Sequence, residues 1–81
     1  MKIQAEVSLY PLRTQDLSQP IEAFCQVLQN AGLEVRSGAM STRISGQADE
    51  VFTALQRAFA AVARDYQVVL TVRLSNACPG S

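Results

Sequence analysis

The stretch Ile3-Gln4-Ala5-Glu6-Val7-Ser8-Leu9-Tyr10-Pro11 decides how this chain folds. Ile3, Ala5, Val7 and Leu9 alternate with Gln4, Glu6, Ser8 and Tyr10, the period-two pattern of a strand buried on one face and open on the other. Pro11 is expected to end it. The apolar side of such a strand needs a cover, and the next segment supplies one. Ser18 stands where a helix N-cap belongs, Pro20 suits a first turn, and Ile21, Phe24, Cys25, Leu28 and Ala31 recur at spacings of three and four. Gly32 offers a left-handed stop. Cys25, on the apolar stripe, reads as core.

Further along, Leu33 to Ser37 alternates over a short strand and Gly38 makes a turn, after which Met40 to Ser45 reads as a third strand closed by Gly46. From Gln47 to about Asp65, Val51, Leu55, Phe59 and Val62 share one helical face, broadened by Phe52 and Ala58. Val68 to Ser75 is a run rich in β-branched residues and forms a fourth strand; residues 76–81 are an irregular tail. The order is βαββαβ. Two one-sided helices and four one-sided strands pack most economically as a single α+β domain, an antiparallel four-stranded sheet covered on one face by both helices. This is the ferredoxin-like sandwich, with expected strand order 4-1-3-2. Its open face displays Glu6, Ser8 and Tyr10 beside Ser41 and Arg43, with Thr71, Arg73 and Ser75 flanking them.

Composition removes several functions. The chain has 81 residues, 48% of them hydrophobic, with seven Lys and Arg, seven Asp and Glu, and no His. A formal charge of zero gives no basic field for nucleic acid or an anionic membrane. Without histidine, Ser-His-Asp and Cys-His hydrolysis is excluded. Cys25 and Cys78 are far apart and lack the C-x-x-C spacing of zinc or thioredoxin-type sites, so no metal site is expected. No stretch approaches the roughly 20 apolar residues of a membrane span, and a reduced, cytoplasmic location is the default expectation. A domain this small buries only roughly 60% of its unfolded surface, so self-association is expected to support it.

On the open face, Tyr10 offers an aromatic plane, Ser8 a hydroxyl and Glu6 a carboxylate, a set suited to a flat, cationic or amino-bearing heterocycle. The same ring would also serve to pack against a second sheet in an oligomer. Arg43 and Arg73 either pair with Glu6 across the strands or contact a phosphate; the pairing is favoured.

Three motifs carry a family resemblance: Glu6-Val7-Ser8-Leu9-Tyr10-Pro11-Leu12, then Ser41-Thr42-Arg43-Ile44-Ser45-Gly46 with Asp49-Glu50-Val51-Phe52 beyond it, and Leu74-Ser75-Asn76-Ala77-Cys78-Pro79-Gly80. In this order on a βαββαβ pattern, the chain resembles the YkoF family of thiamine- and hydroxymethylpyrimidine-binding proteins over nearly its whole length. The resemblance implies a non-enzymatic binder of thiamine or its hydroxymethylpyrimidine moiety, linked to vitamin uptake or salvage and needing no further cofactor. It implies ligand contacts from Ser8 and Tyr10, from Ser41 and Thr42, and from Ser75 and Cys78, to which the reading of the open face adds Glu6. Some family members join two such units in one chain; a single unit would pair with identical subunits, as a homodimer or homotetramer through sheet faces or edges. One conflict stands: Thr42 shares parity with Ile44, so either Ser41 lines the pocket or a bulge re-aims Thr42. A second follows from the antiparallel pairing of the first and last strands, which sets Tyr10 and the Cys78 tail at opposite ends.

The rival reading is an ACT-like regulatory or oligomerisation module binding an amino acid or a protein partner. Such sites use a glycine-rich turn after the first strand, and Pro11-Leu12-Arg13-Thr14-Gln15-Asp16 holds no glycine.

Overall fold

The computed structural model describes residues 1–38 and 41–77. Its elements are β1 (Lys2–Leu12), α1 (Ser18–Asn30), β2 (Glu34–Ser37), β3 (Thr42–Gln47), α2 (Ala48–Ala63) and β4 (Gln67–Ser75). The strands form one antiparallel sheet in the order β2-β3-β1-β4, the expected arrangement. The core lies between the sheet and the helices. Ile3, Ala5 and Val7 of β1 and Ile44 of β3 meet Phe24 and Leu28 of α1 and Val51, Ala58 and Val62 of α2, each at most 2% exposed.

Several boundaries differ from expectation, each for a local reason. β1 runs through Pro11, which sits opposite Val68. Among the described residues, pairing with β3 stops at Val7, so Pro11 has a ladder partner on the β4 side alone, and its missing N–H is tolerated at such a position. β3 likewise continues through Gly46, which faces Ile3, to Gln47. Gly46 is needed for close approach: a Cβ there would lie 2.6 Å from Leu33 Cδ2. Met40, the expected start of that strand, falls outside the described residues.

Ser18 is not the cap of α1. The Asp16 carboxylate Oδ1 accepts from the Gln19 backbone N–H at 3.3 Å and from the Ser18 hydroxyl at 3.2 Å, so the capping group lies two residues earlier. Gly32 ends the helix at φ +80°, as the sequence suggests. The apolar face of α2 is narrower than expected. Val51, Ala58 and Val62 are buried, whereas Phe52 is 57% exposed and Phe59 is also outside the core. At 100° per residue these two rings point about a quarter turn from the buried line, on the flank turned away from α1. Cys25 is half-buried rather than fully enclosed, its Sγ 3.8 Å from Thr42 Oγ1.

Candidate functional site

The register fixes which side chains share the open face. β1 presents Gln4, Glu6, Ser8 and Tyr10 there, because Ile3, Ala5 and Val7 between them are buried. Opposite these, β4 brings Ser75 to Gln4, Arg73 to Glu6, Thr71 to Ser8 and Val69 to Tyr10. On the other side of β1, Ser45 faces Gln4 and Arg43 faces Glu6, and β2 adds Arg36 opposite Arg43.

One row across all four strands is therefore charged throughout: Arg36, Arg43, Glu6, Arg73. Glu6 is shared, with Arg43 Nε 3.9 Å from its Oε2 and Arg73 Nη1 4.0 Å from its Oε1. The expected pairing is present, and it is loose. Arg43 and Arg73 remain 65% and 83% exposed, so these contacts are weak ion pairs that hold two guanidinium groups toward one carboxylate. Arg36 leans on Glu34 at 3.6 Å. A shallow depression of about 550 Å³ opens over this row, lined by Gln4, Glu6, Arg43, Arg73 and Ser75 among others.

Charge is segregated in a chain that is neutral overall. The open face carries Lys2, Arg36, Arg43 and Arg73 against Glu6 and Glu34, while Arg13, Arg57 and Arg64 with Asp16, Glu22, Asp49, Glu50 and Asp65 belong to the helices and loops. The sheet face is thus net positive and the remainder net negative. Above the charged row, toward the start of β4, the face changes character to Ser8 with Thr71 and Tyr10 with Val69. Tyr10 is 67% exposed, its ring open to a ligand or partner.

The candidate residues fall into two groups. Glu6, Ser8, Tyr10 and Ser75 share the open face, but Ser75 pairs with Gln4, six residues from Tyr10, which is about 20 Å along the strand. Ser41 and Thr42 lie elsewhere, without a bulge to re-aim Thr42. Thr42 faces Val7 in register and lines, with Ser41, Leu9, Phe24 and Cys25, a cleft of about 140 Å³ beneath α1. Cys78 falls outside the described residues. Sequence reasoning put Gln4 on the polar side of β1 without singling it out and missed Arg36 and Ser45, which parity places on the open face once β1, β2 and β3 are aligned. A groove of about 370 Å³ between α1 and α2, lined by Asp49, Glu50 and Arg57 among others, offers charge of both signs and no aromatic ring.

Among the described residues, no group of three or more His, Cys, Asp or Glu could hold a metal ion, and no helix is long and apolar enough to cross a membrane. What the open face offers chemically is an aromatic plane, hydroxyls, and a carboxylate between two guanidinium groups.

Solved structures with this fold include a hypothetical protein from Methanocaldococcus jannascii, 28% identical, with a TM-score of 0.87 over 99% of this chain and 84% of that one. A domain of unknown function from Bacillus cereus is 21% identical, with a TM-score of 0.83 over 100% of this chain and 80% of that one. A protein of Thermotoga maritima provisionally assigned to thiamine biosynthesis or salvage is 15% identical, with a TM-score of 0.83 over 93% of this chain and 83% of that one. No curated protein gives a significant match. The model of the YKOF-related family matches residues 2–81, and this chain belongs to that family.

Proposed function

We propose that this chain is a non-catalytic binding protein for thiamine or its hydroxymethylpyrimidine moiety, serving vitamin uptake or salvage, with the site on the open sheet face. The observation that carries the reading is the line Glu6, Ser8, Tyr10 along one face of β1, with Arg43 and Arg73 converging on Glu6. An aminopyrimidine has a flat ring, an exocyclic donor and ring-nitrogen acceptors. Tyr10 supplies a stacking plane, Ser8 a hydroxyl that donates or accepts, and Glu6 an acceptor for the amine. Family membership and the thiamine assignment of the Thermotoga maritima neighbour support the same ligand class. A chain without histidine lacks the side chain most often used for proton transfer near neutral pH, which favours recognition over catalysis.

The protein acts as a homo-oligomer in this reading. β4 lies at the edge of the sheet and runs nine residues without proline. Val72 and Leu74, on its helix side, are exposed, as are Phe52 and Phe59 on the neighbouring flank of α2. An edge this long and apolar pairs readily with another strand, and antiparallel pairing of β4 with β4 of a second copy would extend the sheet across a two-fold axis.

Isothermal titration with thiamine and, separately, with hydroxymethylpyrimidine tests the ligand. Saturable binding near one ligand per chain is expected; no heat from either compound with folded protein would overturn the reading.

A further inference from the structure

We propose that the open face takes its ligand in phosphorylated form, with Arg43 and Arg73 gripping a phosphate or diphosphate ester while the heterocycle lies toward Ser8 and Tyr10. This rests on the open face being the ligand site. Charge carries the inference. The chain is neutral, yet the open face gathers Lys2, Arg36, Arg43 and Arg73 against Glu6 and Glu34, so a free thiazolium cation would meet a surface of its own sign. A phosphate ester reverses that relation.

The geometry suits one tetrahedral anion. Arg43 and Arg73 flank β1 on adjacent strands, so their backbones stand about 10 Å apart, and both side chains already turn inward toward Glu6. At 3.9 and 4.0 Å neither guanidinium hydrogen-bonds the carboxylate, so the donors that match phosphate oxygens in pairs are not spent on Glu6. Loosely held and largely exposed, both arginines can turn to an anion above the depression at little cost, and Arg36 adds positive charge at the end of the row. Glu6 and Tyr10 are four residues apart, about 13 Å along the strand, enough for a pyrimidine ring near Ser8 and Tyr10 with its phosphate over the arginines.

The test is calorimetric titration of the protein with hydroxymethylpyrimidine, hydroxymethylpyrimidine phosphate, thiamine, thiamine diphosphate and inorganic pyrophosphate. The phosphate esters are expected to bind at least about tenfold tighter than their unphosphorylated parents, with the advantage shrinking as salt rises. Arg43→Gln and Arg73→Gln should each erase most of that advantage, whereas Arg57→Gln, on α2, should leave the affinities of both esters and parents unchanged. Parents and esters binding equally well would overturn the phosphate proposal and leave the vitamin reading intact. Pyrophosphate binding as tightly as the esters, with no binding of the parents, would uphold an anion site and overturn the vitamin reading. Silence from all five compounds would overturn both.

Discussion

Tyr10 and Glu6 lie on the same face of β1, two pleats apart, yet they belong to different surroundings: Tyr10 stands opposite Val69, and Glu6 between Arg43 and Arg73. The open face thus has an aromatic end and a charged end, separated by Ser8 and Thr71. A ligand that uses both must be amphipathic along its length.

Tyr10→Ala is expected to weaken binding of hydroxymethylpyrimidine by about 1 kcal/mol or more without altering the melting temperature, because the ring lies off the helix-covered core. Titration of the variant beside a thermal melt separates the two effects. Unchanged affinity would remove Tyr10 from the site.

The start of α1 is capped by Asp16 and not by Ser18, the residue the sequence points to. Asp16→Ala should cost about 1 kcal/mol, since its carboxylate accepts the Gln19 N–H, while Ser18→Ala should cost less because Ser18 only donates to Asp16. Denaturant melts of both variants check the order, and a larger loss at Ser18 would contradict the capping assignment.

Much of this was legible from periodicity. The alternation from Ile3 to Tyr10, the helical stripe through Phe24 and Leu28 and the matching patterns in the later segments carry the element order and the face each strand turns to the helices, while the strand order follows from the usual arrangement of a βαββαβ sandwich. What escaped has identifiable physical causes. Phe52 and Phe59 are strongly apolar, and hydrophobicity alone joined them to the core face, although the packing of α2 leaves them on its flank. Glycine and proline signal strand ends at Gly46 and Pro11, where the fold instead requires close approach to Leu33 and, among the described residues, pairs Pro11 with β4 alone. Thr42 illustrates the limit for the site: parity placed it with Ile44, the motif placed it at the ligand, and the structure follows parity.

The contrast between core and flank gives a third prediction. Ile44→Ala removes a side chain with no exposed surface and should cost about 2–5 kcal/mol, enough to unfold much of so small a domain. Phe52→Ala, at dilutions where the chain is monomeric, should cost under about 1 kcal/mol. Urea melts of both would show the difference, and equal losses would mean that Phe52 is core after all.

Assembly is tested by concentration. With β4 as a self-pairing edge, the melting temperature should rise as protein concentration rises, and Val72→Lys, which puts a charge into the exposed apolar strip, should abolish that dependence. A wild-type melt independent of concentration, with a monomer by sedimentation, would end the oligomer account.

The central claim is that the ligand binds on the open sheet face, and the most direct measurement is a titration of the isotope-labelled protein with hydroxymethylpyrimidine and its phosphate, followed by amide chemical shifts. The account predicts that the largest shifts fall on Glu6, Ser8, Tyr10, Thr71 and Arg73. Shifts concentrated instead on Val27, Asn30, Thr53 and Arg57 in the groove between the helices, or on Thr42 and Cys25 beneath α1, would contradict it.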